Sequence, residues 1–99
     1  MCGRLPRTPE ARVLGTQIIR SGTSVAANYR AACRARSRAE FISKLGIVVE
    51  ETDETVFWLE LLTESGVTSE SQIVDLPKEA RELLAIFSAS RRTAKSRKI

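Results

Sequence analysis

The sequence predicts an all-α protein: an antiparallel up-down helical bundle of three long helices, forming a single domain over residues 1–99. Three observations carry that expectation. Apolar positions recur in alternating steps of four and three, the seam spacing of helices packed on one another. Capping signals stand where the patterned stretches begin. The composition, with five aromatics among 99 residues and abundant Ala, Leu, Arg and Glu, suits helices better than sheets.

The first helix is expected over residues 9–33. Met1 to Arg7 reads as irregular. Thr8 is placed to cap, Pro9 suits the first helical position, and Glu10 favours the positive end of the dipole. Leu14, Ile18, Ser21, Val25, Asn28 and Ala32 form its seam. Gly22 is the weak point, since Gly costs about 1 kcal/mol relative to Ala inside a helix. The seam keeps register across it, so one continuous helix is expected; two shorter helices broken near Gly22 are the alternative. Asn28 takes an apolar position. Either it is a buried amide that fixes register, or it faces a wet edge.

Arg34-Ala35-Arg36-Ser37-Arg38 is the connection, a basic corner leading into the longest helix, expected over residues 38–65. Ser37 and Glu40 have the form of a capping box, and Gly66 is a good stop. Phe41, Leu45, Val48, Thr52, Thr55, Leu59 and Leu62 make its seam, about 42 Å of helix at 1.5 Å per residue. Ile42, Val49 and Val56 lie along a second line, and Ile47, Trp58 and Leu61 along a third. A helix this apolar needs more than one neighbour. Positive charge at its start and Glu60 and Glu64 near its end both oppose its dipole, so neighbours or partners are expected to set these charges.

Glu50, Glu51, Asp53 and Glu54 crowd the middle of this helix. They either pair with arginines from other helices or hold a metal. With no histidine in the chain, a transition-metal site is the weaker reading. Val67 to Leu76 reads as a connection with a helical turn around Ser69 to Val74. Asp75-Leu76-Pro77 opens the last helix, expected over residues 76–96, with Ala80, Leu83, Leu84, Phe87 and Ala94 as its apolar stripe. It ends in Arg91, Arg92, Lys95, Arg97 and Lys98, cations that suit a helix C-terminus.

The net charge of +4 conceals a pattern. Residues 1–44 carry nine Arg/Lys and two acids, residues 45–80 one Lys and nine acids, and residues 81–99 six Arg/Lys and one acid. Two readings stand: the faces complement each other within the bundle, or the excess cations bind an anionic partner, nucleic acid first. Catalysis is not expected. The absence of histidine removes Ser-His and Cys-His pairs. There is no phosphate loop, dinucleotide fingerprint or zinc spacing, and no cofactor, metal or small-molecule substrate is read. Glu50 and Glu54 sharing a proton, and a Cys33 activated by Arg30 and Arg34, are both weaker than the plain readings of an acidic face and a core-edge thiol. Cys2 and Cys33 form no disulfide framework, no secretory leader or membrane span is read, and a cytoplasmic protein is expected.

The segments GTSVAANYRAA and RARSRAEFISKLGIVVEETDETVFWLELL resemble the bacterial four-helix-bundle proteins called 23S rRNA intervening-sequence proteins. The resemblance runs from about Thr8 to Lys98 and is most specific at Ser24 to Asn28, Phe41 to Leu45 and Glu51 to Leu59. It implies a bundle that assembles into a homopentameric ring, with a biochemical role largely undetermined. A similar bundle serves as the accessory variability protein of diversity-generating retroelements, which partners a reverse transcriptase and binds nucleic acid through a basic surface. Two departures stand out. Members usually begin with another helix, so this chain supplies three helices of the four. A misassigned start, a truncated gene and a partner that fills the gap are the three explanations. Members also often carry Glu three residues after the Asn, where this chain has Ala31. Asn28 and Glu54 match recurring polar positions, which implies structural or interface roles.

The leading functional expectation is a non-enzymatic, oligomeric helical protein that binds RNA or DNA backbone, or a nucleoprotein partner. Arg34, Arg36, Arg38, Arg91, Arg92, Lys95, Arg97 and Lys98 are its candidate contacts. Asn28, Glu51 and Glu54 are the candidate interface or buried polar residues. A protein-interaction scaffold with no nucleic-acid role, and a truncated member of the family, are the alternatives.

Overall fold

A computed structural model describes residues 8–64 and 76–97. The irregular start, the Gly66 stop, the turn around Ser69 to Val74 and Lys98 lie outside the described residues. Those residues form three α-helices and no strand: α1 Pro9–Cys33, α2 Arg38–Glu64 and α3 Leu76–Ser96.

The start of α1 obeys its local chemistry. The Ala11 amide donates to Thr8 Oγ1 at 3.1 Å, and Pro9 occupies a first-turn position where its missing N–H costs nothing. The helix runs through Gly22 without a break. At its end the Arg34 amide donates to the carbonyls of Arg30 and Ala31, both at 3.2 Å. The chain then turns within four residues into α2. Ser37 caps α2 by accepting from the Glu40 amide at 3.0 Å. The return arm of a capping box is absent, because the Glu40 carboxylate makes no hydrogen bond to the Ser37 backbone among the described residues.

α2 is the central element and packs against both α1 and α3. Leu14 and Ile18 of α1 cluster with Val56, Leu59 and Leu62 of α2 and Ala80 of α3. Early α1 thus meets late α2. On the other flank, Glu60 meets Arg81 and Ile42 meets Arg91, so α3 runs back along α2. Leu45, Val48 and Leu62 are at most 1% exposed. The two seams are therefore the buried lines, with Ser21 and Thr52 as their buried polar members.

The molecule is a long, thin slab, 51 × 19 × 15 Å. Two flanking helices leave much of the apolar surface open. Val13, Ile19, Tyr29, Phe57, Leu61, Leu83 and Ile86 are all exposed. α1 and α3 approach each other chiefly through Tyr29 and Phe87, whose ring centroids lie 5.5 Å apart.

Candidate nucleic-acid interface

The three-helix arrangement puts one helix start and two helix ends at the same pole. The last turn of α1, the first turn of α2 and the last turns of α3 meet there. Arg34 and Arg36 are exposed on the connector, Arg38 on α2, and Arg92, Lys95 and Arg97 at the end of α3. Two helix C-termini present negative dipole ends to these cations, and that offsets the unfavourable position of Arg38 at the start of α2. Charges that oppose α2 alone are thus accounted for by its neighbours. None of the six forms an ion pair among the described residues. Glu40 is the acid nearest to them along the chain.

Arg38 and Arg97 line one cleft of about 560 Å³, together with Phe41, Ala89, Ser90, Thr93 and Ala94. Sequence reasoning missed Ser90 and Thr93 here. Their signal was their spacing of three residues, which places both on one face of α3 just ahead of the terminal cations.

Arg91 stands apart from its charged neighbours. It is half-buried, and its Nε donates to the Ile42 carbonyl at 3.3 Å. Its guanidinium lies over Gly46, where an added Cβ would come within 3.0 Å of Arg91 Nε. It clasps α3 to α2 across the close space beside Gly46.

The interface or buried polar residues take a different place. Arg20 of α1 reaches Glu54 in a close ion pair and Glu51 at 3.5 Å. The acidic middle of α2 therefore finds an arginine within its own chain. The Arg20 guanidinium, hydrogen-bonded to Glu54, holds that carboxyl below its ordinary value of 4.5, and the pair raises the Arg20 pKa in return. Glu51 Oε2, which faces Arg20, and Trp58 Nε1 are buried and make no hydrogen bond among the described residues. Arg20 carried no signal in the sequence, because interhelical register does not show in one helix's pattern. Glu50 and Asp53 remain exposed.

Asn28 is half-buried and donates to the Ser24 carbonyl at 2.9 Å and to Ser24 Oγ at 3.2 Å. Its amide is satisfied within its own helix. The polar contact that links α1 to α2 lies elsewhere on the seams: Thr55 Oγ1 to Ser21 Oγ, at 2.8 Å. Cys33 is exposed rather than a core-edge thiol, because it lies one residue past buried Ala32 and turns outward.

These features define a small all-helical protein with a hydrophobic core along its length and, among the described residues, unpaired cations at one pole. Residues 1–89 match the model of the 23S rRNA-intervening sequence protein family, and the chain belongs to that family. It is also similar to a solved structure, a protein of unknown function from the S23 ribosomal protein family of Bacteroides thetaiotaomicron VPI-5482. The two share 39% identity at a TM-score of 0.73, over 81% of this chain and 71% of the other. No curated protein gives a significant match. No helix among the described residues is long and apolar enough to cross a membrane.

Proposed function

We propose that this chain is a non-enzymatic helical-bundle protein that binds the phosphate backbone of nucleic acid at its basic pole. One observation carries the reading. Arg34 and Arg36 on the connector, Arg38 at the start of α2, and Arg92, Lys95 and Arg97 at the end of α3 lie toward one pole without an acidic partner among the described residues, and Arg38 and Arg97 line one cleft. Unpaired cations gathered on one surface are the electrostatic footprint of a polyanion site. The ribosomal words in the names of the family and of the solved relative agree with it. Binding is backbone-directed and sequence-tolerant, because no base-reading motif accompanies the charges.

The antiparallel packing of α1, α2 and α3 supports an up-down bundle of the four-helix kind. The exposed apolar residues on α1, α2 and α3 support self-association, and the family resemblance suggests a pentamer. A ring would multiply the basic pole and raise avidity. The setting is cytoplasmic.

The test is a salt titration of binding to RNA and to duplex DNA. Binding at low salt that weakens steeply with added salt is expected. Undetectable binding to both at low salt overturns the reading. The exposed apolar surface favours a second reading, a protein-interaction scaffold. Replacing Arg92, Lys95 and Arg97 with Gln separates the two, with Arg91 left in place because it holds α3 to α2. Loss of nucleic-acid binding with assembly intact favours the first; loss of assembly favours the scaffold.

A further inference from the structure

The basic pole is more than a charged surface, because it carries a cleft with an aromatic residue in its lining. Phe41 of α2 and Ala89 and Ala94 of α3 contribute its apolar lining, and Arg38 at the start of α2 and Arg97 just past the end of α3 contribute its charges. At about 560 Å³ the cleft falls within the range of ligand pockets, about 300–1,000 Å³. Its polar groups are uncommitted. Thr93 is the one threonine among the described residues whose hydroxyl makes no hydrogen bond. Thr8 accepts from an amide, and Thr16, Thr23, Thr52, Thr55 and Thr63 all bond back to a carbonyl on their own helix. The Ser90 hydroxyl beside it is likewise without a partner among the described residues, as are the two guanidinium groups.

We propose that this cleft takes one unstacked nucleotide of a single strand. The inference rests on the backbone-binding reading above and adds the class of strand. Arg38 and Arg97 hold the phosphate, since each planar guanidinium donates paired N–H groups that suit its oxygens. Thr93 and Ser90 supply hydroxyls to the phosphate or sugar. The base lies against Phe41, since every base has a face to stack and an aromatic ring requires no particular sequence. A base paired within a duplex cannot enter, because its faces are already covered.

The test compares a twelve-nucleotide oligo-uridine strand with a duplex RNA of the same length, by fluorescence anisotropy on the full chain. Two variants are used. Phe41→Leu removes the aromatic face and keeps an apolar side chain on the seam. Ser90→Leu starts from an exposed position and fills the cleft, leaving Phe41 and the core untouched. Each variant is expected to weaken single-strand binding by about five- to tenfold, the scale of one lost stack, and to change duplex binding by less than about twofold. Should Phe41→Leu unfold the chain, Ser90→Leu decides alone. Unchanged single-strand binding in Ser90→Leu overturns the proposal, and so does an equal loss on both probes; either result leaves the backbone reading standing. Failure of the native chain to bind either probe instead removes the backbone reading itself.

Discussion

The residues with the clearest separate consequences are Arg20, Gly22 and Gly46. The pKa of Glu54 is depressed by Arg20, so the pair stabilises the fold fully above the carboxyl's ordinary value of 4.5. That contribution is lost as pH falls through the lower folded value. Arg20→Gln is expected to move the Glu54 titration back up toward 4.5, read as its carboxyl NMR shift against pH. An unmoved titration would mean that the ion pair does not persist in solution. The two glycines separate in a different way. Nothing lies within 4 Å of a Cβ added at Gly22, so Gly22→Ala is expected to stabilise by about 0.5–1 kcal/mol through helix propensity. That amounts to a rise in Tm of several degrees for a chain of this size. A fall in Tm instead would reveal another chain seated against Gly22. At Gly46 the same change meets the Arg91 guanidinium at 3.0–3.2 Å, and displacing it disturbs the clasp on Ile42. Its net effect is expected to lie near zero, so the two substitutions in parallel melts separate propensity from packing.

Among the elements, α2 controls the rest, and its seam was legible from spacing alone. Leu45, Val48, Thr52, Leu59 and Leu62 are all buried, as steps of four and three require. Leu45 is 1% exposed, so Leu45→Asp places an unpaired charge in the interior. Complete loss of the cooperative melt is expected by circular dichroism. Leu45→Ala, which only leaves a cavity, is expected to cost about 2–5 kcal/mol. An unchanged melt in the aspartate variant would remove Leu45 from the core. The helix starts were legible because capping is local, and Thr8 and Ser37 act within three residues of themselves. What the sequence did not show was pairing between helices. Nothing in α1 marks Arg20 as the partner of Glu51 and Glu54, and nothing in α3 marks Arg91 as a clasp rather than a surface cation. Both depend on which faces meet. Ser21 and Thr55 were partly legible: each stood out as a polar residue on an apolar seam, and the structure joins them.

At the scale of the molecule, the three charge blocks of the sequence become two poles. The Glu60–Arg81 pair lies toward one, and midway along the molecule Arg20 of α1 meets Glu54 and Glu51 of α2. The unpaired cations occupy the other. The charge pattern thus has two parts: complementarity along the helices, where Arg20 and Arg81 meet acids of α2, and excess cations at one end. A point charge on the surface contributes little to stability, because water and salt screen it. Changing Arg34, Arg36, Arg92 and Lys95 together to Gln is thus expected to leave the melting temperature within about two degrees. The same variant should lose affinity for RNA. Each cation that no longer neutralises a duplex phosphate flattens the plot of log affinity against log salt by about 0.9. A flatter slope with an unchanged melt and an unchanged assembly mass by sedimentation is the expected result. A slope identical to that of the native chain would mean that these four cations touch no phosphate, and would shift the contact to the cleft flanked by Arg38 and Arg97. A fall in assembly mass would instead assign the cations to contacts between subunits, which is the one role that unpaired charge at a helix pole has in a scaffold.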